Sequence, residues 1–355
     1  MAVRKMNPVP DSRIYRKSNL IFNIMEHLRQ FFCIASILFL LSSCADDSVT
    51  VVDSFPDEGE LELVGKTNYD PAEYNIGWYI ESNGYFVYRL WDEPFFALLD
   101  KDRNGIARFG KRGRGVGEYL SPDVIRTVPG KGDTLDIITR ELTRGCLYRT
   151  SVNTKDGGHR TVLEKDFGAK LLREVHDLGG GTYLCCEVDN RYYLLNADGS
   201  KQYLEGWSEE EIDFPINPST EMPVFQSMGK VSPDSTLFVI YSSSFPMLIL
   251  HDIQGSRLKT MHIKEIPENL AQPSTVGAFC DLDFIGDKIV AVYESLEEED
   301  AGYYLCIFDR NFKPLKRYPL PVWGNALNID RTTGIANILN SSDKAIYGYD
   351  LSEWL

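Results

Sequence analysis

Beyond residue 60, apolar residues come in short runs, each closed by a cluster of Gly, Asn, Asp or Pro. Such runs are too short for long helices, and their Tyr, Phe, Ile and Val content suits strands. The first set is the clearest. Residues 76–80 are followed by an Asn83-Gly84 turn, then 85–91, a break at Pro94, 95–99, a turn at 102–105, and 106–109. Asn-Gly between apolar runs is a strong hairpin signal, because both residues tolerate the positive φ of a tight turn. The pattern predicts a four-stranded antiparallel unit.

That unit repeats. The third strand ends at Leu99-Asp100, and matching landmarks follow at Leu147-Tyr148, Leu195-Asn196, His251-Asp252, Phe308-Asp309 and Tyr349-Asp350, at spacings of 48, 48, 56, 57 and 41 residues. Repeats of roughly 40–55 residues with four strands each mark the blades of a propeller. The two longer spacings contain polar, Pro-bearing insertions, 207–223 and 266–275; Ser208 with Glu211 in the first reads as a capping box. Only five residues follow Asp350, too few for a turn and a fourth strand. An open ring would leave an unpaired edge, so the strand-like segment 61–64 is expected to complete the last blade. The fold class is therefore all-β: a six-bladed β-propeller over 61–355, its ring closed by an N-terminal strand.

The N-terminal region obeys different rules. Residues 31–41, FFCIASILFLL, form an apolar stretch of 11 residues, short of the roughly 20 a membrane span needs. Arg29 precedes it, and Leu41-Ser42-Ser43-Cys44 follows. Small residues before a Cys, after a short apolar core, resemble a bacterial lipobox. The resemblance implies export, cleavage before Cys44 and acylation there, with residues 1–43 as leader and signal peptide. Met25 is an alternative start. Residues 44–60 read as an acidic tether. Asp46 and Asp47 resemble the acidic surface-export signals of Bacteroidetes lipoproteins, so an outer-membrane lipoprotein is expected, at the cell surface rather than on the periplasmic face.

Charge and cysteines narrow the partners. The whole chain carries a net −15, and loss of residues 1–43 leaves 31 basic against 50 acidic residues, or −19. That charge argues against nucleic acid and keeps a tethered protein soluble. The five cysteines beyond Cys44 (Cys146, Cys185, Cys186, Cys280 and Cys306) show no CxxC spacing. They suit buried free thiols, although an exported chain permits one disulfide.

Directly after the first four-stranded unit comes Gly110-Lys111-Arg112-Gly113-Arg114-Gly115-Val116-Gly117-Glu118-Tyr119. This resembles the Gly-x-Gly-Pro-Gly-Glu segment of the TolB-like six-bladed propeller lipoproteins of Bacteroidetes, with Val116 where those proteins usually carry Pro. The resemblance implies an architecture and a location and carries no activity. In physical terms the segment is where the chain crosses from an outermost strand to the next innermost one, and Gly permits the close turns. Glu118 is placed to accept backbone N–H groups. Arg112 and Arg114, with Arg108 and Lys111 close by, make an anion site near the channel mouth the functional alternative to a purely structural crossing.

Other constellations carry less. Asp100-Lys101-Asp102-Arg103-Asn104-Gly105 begins like a calcium loop, but an EF-hand Glu would fall at Lys111, so the segment reads as a hairpin turn. His159, His176, His251 and His262 are too scattered for a zinc site. No G-x-S-x-G elbow is present. Asp281 and Asp283 should face one side of an inner strand, reading as a solvated channel lining or else an acid–base pair. Trp78 and Trp91 are assigned to packing between blades, whereas Trp207 and Trp323 fall in loops and are the better binding candidates. No metal or cofactor is expected, and no catalytic residue is assigned. The favoured reading is a non-catalytic ligand- or partner-binding envelope lipoprotein, attached to the membrane by its lipid and engaging a protein or glycan through Arg112, Arg114, Glu118, Trp207 and Trp323. The alternative is a polymer-degrading lyase or hydrolase with its active site in the channel.

Overall fold

The structure, a computed structural model, describes residues 49–355 apart from 71–73, 83, 169–171, 189, 206–226, 265–276 and 298, and apart from the side chains of 75–82 and 129. Six antiparallel sheets follow one another around a ring. Blade 1 comprises Tyr74–Ser82, Tyr85–Leu90, Phe96–Leu99 and Gly105–Phe109. Blade 2 comprises Pro122–Pro129, Thr134–Glu141, Cys146–Asn153 and His159–Asp166. Blade 3 is built from Leu172–Gly179, Thr182–Glu187, Tyr192–Leu195 and Lys201–Tyr203. Blade 4 uses Ser227–Val231, Leu237–Ser242, Met247–Asp252 and Arg257–Ile263. Blade 5 uses Gly277–Ile285, Lys288–Ser295, Gly302–Phe308 and Pro314–Leu320. Blade 6 takes Ala326–Asp330, Ile335–Asn340 and Ala345–Asp350 from the C-terminus, and its outermost strand is Leu63–Asn68. That N-terminal strand pairs antiparallel with Ala345–Asp350, closing the ring as the sequence predicts.

Packing shows why the middle strands read as continuous apolar runs. In blade 5, Ile289, Ala291 and Tyr293 pack toward blade 4, while Val290 and Val292 pack toward blade 6. Both faces of the strand are therefore buried, as the period-2 pleat requires. The apolar cores fall into six clusters, one between each pair of neighbouring blades. The interface between blades 6 and 1, where Leu339 and Ile346 meet Phe86, Tyr88 and Leu90, joins the two ends of the ring. Outermost strands are largely exposed, as along His159–Asp166.

Two expectations change. The blade 2 landmark, placed at Leu147-Tyr148, lies near the start of its third strand; the strand ends at Asn153, which makes the first two spacings 53 and 43. The Asn or Asp at this position has a reason. Asp100, Asp252 and Asp309 each accept backbone N–H groups two and four residues on through Oδ1, which closes the turn into the outermost strand. Tyr148 has no such role.

The second change concerns the segment expected to be a tether. Thr50–Val52 pairs in parallel with 261–263 as a fifth strand on blade 4. Val52 is buried in the core between blades 4 and 5, and the Phe55 ring lies 5.4 Å from that of Phe308. Glu58 then bridges to Arg317 on the outer strand of blade 5. Residues 50–68 thus form a belt along the rims of blades 4, 5 and 6. The ring begins at 50, not 61, because an open sheet edge on blade 4 offers backbone partners that a free tether would leave unused.

Candidate functional site

The innermost strands begin on one face of the ring, here called the entry face, and end on the exit face. The crossing from blade 1 to blade 2, residues 110–121, lies on the entry face. Its glycines are required: Gly110 and Gly117 have φ of 86° and 73°. A Cβ on Gly113 would collide with the Glu118 carboxylate, and one on Gly115 would stand 3.0 Å from it. Glu118 is folded into the loop, where Oε2 accepts the Gly115 N–H at 2.6 Å. Lys111–Arg112 pairs in parallel with Glu118–Tyr119, which ties the two ends of the loop together.

Beneath it, Arg144 donates to the Glu118 carbonyl at 2.6 Å, to the Arg114 carbonyl, and to the Tyr148 hydroxyl at 2.7 Å. Fully buried Glu141 accepts the Leu120 and Ser121 N–H groups at 2.6 and 3.0 Å. The backbone is thus braced from below, and the cationic side chains face out. Arg112 donates its N–H to Glu93 Oε2 at 3.2 Å, and its guanidinium lies 3.7 Å from Asp92 and 5.3 Å from the Phe95 ring centroid. Lys111, Arg112 and Arg114 are all exposed. Trp91, next to Asp92, is 53% exposed, and Val116 and Leu120 of the same loop are exposed as well. Trp91 therefore does not fill space between blades as expected; its strand stops at Leu90 and the turn carries it to the surface.

The channel offers a different chemistry. Asp281 and Asp283 do face one side, but they are neither solvated nor free. Asp281 Oδ2 accepts the Leu327 N–H at 2.8 Å, and Asp283 Oδ2 accepts the Ile329 N–H at 2.9 Å, both from the innermost strand of blade 6. Their Oδ1 atoms take Leu282 N–H, Phe284 N–H, the Tyr241 hydroxyl and Arg331, with Lys230 at 3.3 Å from Asp281. Burial pushes the Lys230 ammonium down, but Asp281 and Asp283 outweigh it and hold it above its ordinary value. Glu174 repeats the device between blades 3 and 4, accepting the Gly229 N–H at 2.8 Å and the Tyr192 hydroxyl at 3.2 Å. Burial alone would raise its carboxyl, yet His176 and Arg173 hold it below the usual range. Blade 2 reaches blade 3 through Arg140, which donates to the Arg173 carbonyl at 2.6 Å and pairs with buried Asp123. Neighbouring innermost strands share no backbone ladder, and these side chains supply polar links between them. Asp281 and Asp283 each accept from several donors and are thereby built into the links between blades.

The expected binding residues are only partly brought together. Arg112, Arg114 and Glu118 share one loop, with Glu118 committed to the backbone. Trp323 is exposed on the crossing from blade 5 to blade 6, beside Cys280, whose thiol burial pushes up to about 12. That crossing is two steps around the ring from Arg112. Cys44, Trp207, the capping box and both insertions lie outside the described residues, although the strands flanking each insertion meet the entry face. Sequence reasoning missed Arg144 and Glu141 and assigned Trp91 to packing. The basic residue within the short turn after Glu141 was the one available signal. Cys146, Cys185, Cys186, Cys280 and Cys306 are free thiols. Among the described residues, no group of His, Cys, Asp and Glu is arranged to hold a metal.

A closed ring of six blades, each four-stranded apart from the strand added to blade 4, defines the chain as a β-propeller. No family model matches the sequence, and no curated protein matches it. Solved structures do. A member of the DUF4221 family from Bacteroides vulgatus aligns with a TM-score of 0.52 at 10% identity, covering 83% of this chain and 98% of its own. An exported-type protein of Bacteroides fragilis aligns with a TM-score of 0.48 at 13% identity, over 84% and 97%. The WD40 propeller domain of Doa1 aligns with 0.46 at 12%, over 83% and 99%. At these identities the likeness concerns the fold alone.

Proposed function

We propose that the protein is a non-catalytic, ligand-capturing lipoprotein of the cell envelope, of the TolB-like kind, anchored through Cys44. It binds an anionic group on a protein or glycan through the crossing between blades 1 and 2. The observation that carries this reading is the braced loop: Glu118, Glu141 and Arg144 hold its backbone while Lys111, Arg112 and Arg114 face solvent beside Trp91. In an acidic chain such a basic, aromatic-flanked patch favours an anion by charge and stacking. The Asp46-Asp47 pair after Cys44 favours the outer surface of the outer membrane. A lyase or hydrolase in the channel is the weaker reading, because Asp281, Asp283 and Glu174 are occupied by backbone and cationic donors.

The test is comparative capture from envelope extracts. The Arg112→Ala/Arg114→Ala double variant should lose at least tenfold of the ligand that the wild type retains, with its melting temperature unchanged because both side chains are exposed. Undiminished capture by the double variant would remove the site from this loop.

A further inference from the structure

The belt fixes where the anchor meets the ring. Because Thr50–Val52 is built into blade 4, only residues 45–49 separate Cys44 from the fold. Six Cα steps reach about 20 Å at most, whereas a tether running to residue 61 would have reached about 60 Å. Thr50 lies opposite Met261 in the outermost strand of blade 4 and runs parallel to it, so the chain enters the ring along that rim. In a ring of six, blade 4 lies diametrically opposite blade 1.

A second observation falls at the same place. Val49 and Val51 are 49% and 42% exposed, and Leu258 on the adjoining strand is 41% exposed. Val51 stands opposite His262, so the pleat turns it away from Val52 and its buried partners Met261 and Ile263, while Leu258 lies at the bulge in the adjoining strand. Val49 and Val51, with Leu258 on the adjoining strand, give an exposed apolar strip at the root of the tether.

We infer that the rim of blade 4 is the membrane-facing surface of the protein: the ring stands edge-on against the bilayer, with the strip at the lipid interface and the blade 1 crossing at the far pole. This rests on the lipidation of Cys44 proposed above, and adds that capture takes place at the part of the ring furthest from the bilayer. A ligand dissolved or displayed beyond the membrane fits that geometry; a lipid headgroup of the same leaflet does not.

The test uses the protein with its native N-terminus, reconstituted in phosphatidylethanolamine–phosphatidylglycerol vesicles doped with a headgroup acceptor dye. A fluorescent amino acid is placed at position 256 or at position 101, equivalent turns on blades 4 and 1. Energy transfer from position 256 should exceed that from 101 at least twofold, and a 20-residue Gly/Ser insertion after Asp47 should abolish the difference. Equal transfer, or stronger transfer from 101, overturns the orientation, as does a stable dimer sealed over Val51 and Leu258. A parallel sample of residues 44–355 coupled through Cys44 to a maleimide headgroup should show the same order. The mass of the N-terminal peptide reports acylation separately, so failure of the anchor and failure of the orientation are distinguishable.

Discussion

Asp281 and Asp283 sit two residues apart on the innermost strand of blade 5, so the pleat turns both carboxylates the same way. Each reaches a backbone N–H of blade 6 spaced by the same two residues, Leu327 and Ile329. Asp283→Ala would leave the Ile329 and Phe284 N–H groups buried without this acceptor and Arg331 with the Phe284 carbonyl in place of its carboxylate. A buried donor left unpaired costs about 1–3 kcal/mol, and two are orphaned here, whereas the half-exposed Arg331 can turn to solvent. A loss of roughly 3–5 kcal/mol is expected from urea unfolding, and a loss below 1 would show that solvent replaces the carboxylate. The i, i+2 pairing was legible in the sequence, but the partners were not, because they come from a different blade. Local chemistry was easier to read. The turn reading of Asp100–Gly105 follows from Asp100 alone, whose Oδ1 reaches only the next few residues.

At the scale of elements, the belt separates what the chain shows locally from what it does not. The closing strand was legible because a truncated last blade requires one. The fifth strand on blade 4 was not. Thr50–Val52 is only three residues long, flanked by Asp and Ser, and its partners 261–263 lie in a distant part of the chain. Val52 is the belt's buried anchor in the blade 4–5 core. Val52→Asp places a charge there without a partner and should detach the segment, with a loss of about 2–4 kcal/mol. Hydrogen exchange would locate the effect: amides of Arg257–Ile263 should lose protection while those of blades 1 and 2 keep theirs. Unchanged protection in blade 4 would mean that the belt only rests on the rim.

Around the whole ring, each interface supports two blades, so a weakness in one is felt as instability of the closed structure. His251 marks such a point between blades 3 and 4. It is fully buried, its ring stacks on Phe238 at 5.1 Å, and Nε2 lies 3.5 Å from the Glu205 carbonyl. Burial pushes its pKa down from 6.5 to about 4, with Arg257 acting the same way and Glu205 and Asp252 opposing. A depressed pKa means that the unfolded chain takes up this proton first. The stability His251 contributes is therefore complete above pH 6.5 and falls away as the pH drops toward 4, by about 3 kcal/mol in all. Two other effects act in the same range: burial also lowers His262, and acid relieves the self-repulsion of an acidic chain. Both are common to the wild type and to His251→Phe, which keeps the stack on Phe238 and removes the titration. Urea midpoints taken from pH 7.5 to 4.5 should therefore show the wild type losing about 2–3 kcal/mol more than the variant. Parallel curves would mean that His251 accepts its proton inside the folded ring at no cost, and that the interface between blades 3 and 4 is open to water.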